Sequence, residues 1–211
     1  MKKSLFFCLL FAIASILVAG CSSCKPENNK QDDIKDVEVL SLSAETTIST
    51  DREAMYLRTP KDAKILWMQT GVLLSDKLSD ENVADAKVME VMNGFQTQVN
   101  TETGINTKVT LITTNTQATD SLVLNGSFFF DNYPLNDKEI NITFEKAVEK
   151  ILEANCPKPQ TRAIILRSPV GPVHVDDAYY IAGSGDDDTP MVFVNARTGD
   201  VTTENPAWKK N

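Results

Sequence analysis

Val192-Phe193-Val194-Asn195-Ala196-Arg197-Thr198-Gly199-Asp200-Val201 is the stretch that decides how this 211-residue chain folds. Residues 191–196 are mostly apolar and β-favouring, and Thr198-Gly199 ends them in a tight turn that leads into Val201. Glycine suits that turn because a positive φ, where a Cβ would clash, is easiest for it. Upstream, strands are expected at 162–167 and 173–182, separated by Pro169-Val170-Gly171-Pro172. Before them Thr143 is a good N-cap and Glu145 falls in the first turn. Phe144, Ala147, Val148, Ile151 and Leu152 form an i, i+3, i+4, i+7, i+8 stripe that Asn155, Pro157 and Pro159 bring to an end. Residues 136–205 therefore read as an α+β unit, one helix followed by an antiparallel meander.

The preceding region, 34–135, is less regular. Residues 34–42 alternate imperfectly and predict a strand, the polar stretch 43–53 predicts a loop, and the apolar run 65–74 with Trp67 and Met68 predicts a buried strand. Ser79 can cap a helix, Asp80 and Glu81 suit its N-terminal dipole, and Ala84, Val88, Val91, Met92, Phe95 and Val99 recur at helical spacing. Strands are expected at 108–114 and 122–130, joined through 116–120. The order helix, strand, strand over 79–130 leaves open a degenerate second copy of the C-terminal unit.

The C-terminal stretch resembles the PepSY family, whose units carry a short Ile-Ser/Thr-x-x-x-Ala helix and end in Val-x-Val-Asp-Ala-x-Thr-Gly-x-Val. The counterparts are Ile142-Thr143-Phe144-Glu145-Lys146-Ala147 and residues 192–201, with Asn195 where the family has aspartate. The motif residues Asn195, Thr198 and Gly199 are fold-making rather than catalytic. The resemblance implies a cystatin-like helix packed on an antiparallel sheet, in a family of extracytoplasmic modules that bind or inhibit, often proteases.

The N-terminus sets the expected location. Lys2 and Lys3 precede an uncharged apolar run, 5–18, that is shorter than the roughly 20 residues needed to span a bilayer. Val18-Ala19-Gly20-Cys21 then resembles the lipobox of bacterial lipoproteins, which implies a signal peptide over 1–20, cleavage before Cys21 and acylation of its thiol. Two or more acyl chains suffice for durable anchoring in a lipid bilayer. Residues 21–33 are polar and read as a tether. Ser22 follows the lipidated cysteine where inner-membrane retention would call for aspartate, so an outer-membrane location is expected, with the periplasmic or the cell-surface side left open.

Loss of Lys2 and Lys3 with the signal takes the formal charge from −8 to −10. An acidic chain without clustered Lys and Arg argues against nucleic acid as a partner. Of the cysteines left after Cys21 is acylated, Cys24 and Cys156 could bridge, or Cys156 could be a small semi-buried side chain at a helix end.

His174 is the one histidine, so any imidazole base must use it, with Cys156 or a serine as nucleophile and Asp176 or Asp177 as orienter. No strained nucleophile turn, zinc-ligand spacing, calcium-loop alternation around Asp186-Asp187-Asp188, or phosphate-cradling glycine loop is present. The expectation is a protein that is not an enzyme and holds no cofactor or metal. It acts as a binding or inhibitor-like module with a protein partner, a protease among the candidates. The alternative is a structural component of an envelope complex.

Replacing the proposed acyl acceptor tests the anchor. Cys21→Ala is expected to leave the full-length precursor unprocessed, or to release the protein from the membrane fraction. A cleaved, lipid-bearing species in the outer-membrane fraction would move the acceptor to Cys24.

Overall fold

Among the described residues, two helices and eight strands follow in a repeated order: α1 (Ala44–Arg58), β1 (Lys64–Leu74), β2 (Val88–Thr101), β3 (Gly104–Asn115), β4 (Thr119–Asn125), α2 (Phe144–Glu153), β5 (Ala163–Arg167), β6 (Tyr179–Ala182), β7 (Val192–Asn195) and β8 (Val201–Thr202). The structure is a computed structural model that describes residues 42–126, 133–183 and 191–208. The class is α+β, as the sequence implied. The signal and tether, Cys21, Cys24 and residues 34–41 of the first expected strand lie outside the described residues.

All eight strands join one antiparallel sheet in the order β4-β3-β2-β1-β5-β6-β7-β8. Each half is a helix followed by a four-stranded meander, and the halves meet where the first strands pair, with Thr70 opposite Leu166 and Leu73 opposite Ala163. The sheet therefore runs without a break across residues 135 and 136. The helix-strand-strand order expected over 79–130 does not occur; the helix of the first half lies earlier, at Ala44–Arg58.

Residues 43–53, expected as loop, begin α1. Ser43 accepts a hydrogen bond from Thr46 N (3.4 Å), which satisfies one of the open donors at the helix start. The inward side is Ala44, Thr47, Ile48, Asp51 and Met55, so helical spacing is present with two polar residues in it. Asp51 is buried and accepts from Asn93 Nδ2 (2.7 Å). Asn93 Oδ1 accepts from Thr70 Oγ1 (2.6 Å), and Thr70 accepts from Trp67 Nε1 (3.0 Å). Next to Asp51, Arg52 pairs with Asp137 (2.5 Å) and lies 5.1 Å from the Trp67 ring centroid. Polar contacts thus fix α1 on β1 and β2.

The helix expected after Ser79 is instead a short 3-10 turn, Val83–Asp85, and then β2. Val91, Phe95 and Val99 stand four apart, a spacing common to helix and strand, and Asn93 and Thr97 complete the period of two. Both polar residues are buried, Asn93 fully, which hid the alternation from a hydrophobic reading. The expected strand 173–182 is likewise shortened to β6, with Val173 to Ala178 outside it. At Gly171 a Cβ would lie 2.6 Å from Ala207 O, where the C-terminal turn Pro206–Trp208 packs on the loop before β6.

α2 is the helix its stripe announced, capped by Thr143 accepting from Lys146 N (3.2 Å). Phe144, Ala147 and Ile151 join Ala44, Ile48 and Met55 in one core with Trp67, Phe95, Leu166, Tyr180 and Val194, so both helices cover the same face of the sheet. Phe95 and Tyr180 are almost fully buried, and side chains of that size contribute about 1.5–3 kcal/mol each. Tyr180 OH donates to Ile142 O, and burial pushes its phenol up. Glu45 of α1 accepts from Phe144 N at the start of α2 (3.1 Å), tying the two halves together a second time.

Burial raises the Asp51 carboxyl above its ordinary value of 3.8, against a smaller lowering by the Asn93 hydrogen bond. A carboxyl raised in the folded state binds its proton more tightly there, so stability is greatest below the ordinary value and declines as the pH rises through the raised one. Asp51→Asn is expected to raise the melting temperature at pH 7 by about 3 °C. Thermal scans from pH 7 down to 4 should show the gain shrinking; a gain that stays constant would contradict a buried carboxylate.

Candidate functional site

Of the catalytic candidates of the sequence, the structure brings His174 and Asp176 together. His174 Nε2 lies 2.7 Å from Asp176 Oδ1 and its ring sits 3.9 Å from that of Tyr133, both at an exposed position. Cys156 is a free thiol packed against the core at the end of α2, where Cys156 N donates to Ala154 O. Asp177 is turned to Arg197 (2.8 Å) and Asn195 rather than to the imidazole. Asp186, Asp187 and Asp188 lie outside the described residues, among which no cluster of three or more metal-ligating side chains occurs. What His174, Asp176 and Tyr133 can offer together is an exposed polar and aromatic surface.

Asn195, Thr198 and Gly199 do come together, in the turn from β7 to β8. Asn195 Oδ1 accepts from Arg197 N (2.8 Å) and Thr198 N (3.0 Å), Gly199 N donates to Asn195 O (2.8 Å), and Thr198 Oγ1 donates to Asp200 Oδ2 (2.7 Å). Gly199 has φ +79°, and a Cβ there would meet Ile142 Cδ1 at 3.4 Å, so the backbone conformation sets the need for glycine more than the space does. An aspartate at 195 could accept the same two backbone hydrogen bonds. Asn195 differs on its other side, where Nδ2 donates to Asp177 Oδ2 (2.9 Å). The amide at 195 and the carboxylate at 177 form a matched pair.

One exposed feature of the sheet is a hairpin that the sequence reading missed. β2 is paired to β1 only as far as Gln98, opposite Lys64, and β4 reaches β3 only at Lys108, with Gly126 N donating to Thr107 O (2.9 Å). Beyond those limits, among the described residues, β2 and β3 pair only with each other, through Val99 with Asn106, Asn100 with Ile105 and Thr101 with Gly104. The result is a two-stranded finger standing roughly 10 Å past the sheet at about 3.4 Å per residue. Its turn is braced by Thr101 Oγ1 donating to Gly104 O (2.8 Å), and Gly104 takes φ +134°. The tip carries Thr, Asn and a single charge, Glu102, while the Ile105 side chain is 67% exposed.

A signal for the finger was available. Thr97, Val99 and Thr101 alternate up to Glu102-Thr103-Gly104, and Ile105, Thr107 and Val109 alternate away from it, which is a hairpin pattern around a glycine turn. Assigning 79–99 to a helix concealed it. No protein family, curated protein or solved structure matches the chain.

Asn195→Asp is expected to destabilise the protein by about 1–3 kcal/mol near neutral pH, because it sets a second carboxylate against Asp177. Acid should restore the loss as one of the pair takes up a proton. Adding Asp177→Asn should restore it at pH 7 by reversing the amide and carboxylate, and a double variant as weak as the single one would remove the pair from the account.

Proposed function

We propose that this protein is a non-catalytic binding module of the protease-inhibitor type, lipid-anchored to the outer membrane through Cys21, whose β2–β3 finger enters the substrate cleft of a partner enzyme. The finger carries the reading. It is nearly uncharged and stiffened by cross-strand pairing, and it presents the exposed apolar side chain of Ile105, which insertion would bury. A preorganised ribbon loses little conformational freedom on binding, which is the main saving open to a small interface.

The PepSY-like and cystatin-like reading of the C-terminal half is part of the same proposal. It draws support from α2 starting after Ile142-Thr143, from the meander β5 to β8 behind it, and from the glycine turn at 198–199. The first half repeats the plan with longer strands, and among the described residues its β2 and β3 extend beyond their neighbours to make the finger. On this view one half provides the compact unit and the other its contact element.

Ile105→Asp tests the finger without touching the core. The full chain should slow at least one secreted protease in a panel assayed with peptide substrates, and Ile105→Asp should weaken that effect by about tenfold or more, a loss typical of a central anchor residue. Its melting temperature should match the parent's. Undiminished inhibition, or stable retention of envelope proteins by parent and variant alike, would sink the finger reading and favour an assembly role.

A further inference from the structure

The sheet has two edges of different kinds. β8 is two residues long and is followed by the Pro206–Trp208 turn, whereas β4 is a regular seven-residue strand, Thr119–Asn125, with no proline and one charge, Asp120. Among the described residues no strand pairs with its outer side. Exposed strand edges of this kind bind other strands unless charge, proline or a bulge blocks them. Leu122 is 42% exposed on one face and Val123 56% on the other.

The register fixes which backbone groups point outward. Gly126 N donates to Thr107 O, and Asn115 N donates to Ala118 O, so the even-numbered positions of β4 form the hydrogen-bonded pairs with β3. The N–H and C=O groups of Thr119, Ser121, Val123 and Asn125 therefore face away from the sheet. An antiparallel copy of the same strand can use all of them in one register only, with Leu122 opposite Leu122. That register sets Ser121 against Val123 and Thr119 against Asn125 as hydrogen-bonded pairs, in both directions. It also places Asp120 opposite Leu124, so no like charges meet, and it joins the two leucines at a non-hydrogen-bonded position where side chains lie closest.

We infer that β4 pairs with β4 of a second copy of this chain across a two-fold axis at Leu122, making one continuous sheet of two molecules. The partner is specified by the strand itself: its outward donors and acceptors, its exposed leucine and its single charge are complementary to their own reversal. The two fingers then project from opposite ends of the joined sheet, so the inference stands whether or not they bind an enzyme.

Cysteine cross-linking in cells that express the full chain tests the register, in a background carrying Cys24→Ser and Cys156→Ser. Under mild oxidation Leu122→Cys should yield a disulfide-linked species of twice the chain mass, about tenfold more than Val123→Cys, because only position 122 faces itself within disulfide reach. Ser121→Pro added to Leu122→Cys should abolish that species while leaving the melting temperature unchanged, since the N–H it removes points outward from the edge. Equal cross-linking at 122 and 123, a Leu122→Cys chain that stays monomeric, or a cross-link to a different protein would each overturn the self-pairing.

Discussion

The run of buried polar contacts Asp51, Asn93, Thr70, Trp67 holds the first half of the molecule in register. Each link joins a different part of the structure: Asp51 belongs to α1, Asn93 to β2, and Thr70 and Trp67 to β1 on either side of a bulge. A hydrogen bond constrains direction as well as distance, so the chain fixes the rotation of α1 in a way that Ala44, Ile48 and Met55 alone would not. Breaking one member strands the others in the core, where an unmade hydrogen bond costs about 1–3 kcal/mol. The second half needs no such device, because α2 has a complete apolar stripe.

That contrast explains what could be read from the sequence. α2 was legible because Phe144, Ala147 and Ile151 mark its buried side in apolar residues. α1 was not, because Thr47 and Asp51 interrupt the stripe, and they are polar for the structural reason just given. β2 failed in the same way: Asn93 and Thr97 occupy core-facing positions, and what remained apolar, Val91, Phe95 and Val99, fitted a helix as well as a strand. Where the core is held by hydrocarbon the periodicity speaks, and where it is held by amides and carboxylates a hydropathy pattern cannot report it.

The candidate sites divide along the same line. The Thr198-Gly199 turn was legible because a positive φ leaves a glycine in the sequence. The exchange of an amide for a carboxylate at 195 acquired its meaning only when Asp177 was found beside it, 18 positions away in the chain. The hairpin of the finger is marked by its own alternation around Gly104, but how far it stands past β1 and, among the described residues, past β4 depends on other parts of the chain, which no local pattern encodes.

The central seam between β1 and β5 has a consequence for the order in which the molecule can assemble. The hairpins of each meander close over short stretches of chain, whereas Thr70 must find Leu166 across nearly a hundred residues. Closing a loop of that length costs about 3 kcal/mol more than closing a hairpin turn, since each doubling adds about 0.6 kcal/mol. The local ribbons therefore come first and the seam last, as expected when non-local pairing limits the rate. Until the seam closes, the facing sides of β1 and β5 are two more open edges, each free to capture the wrong strand.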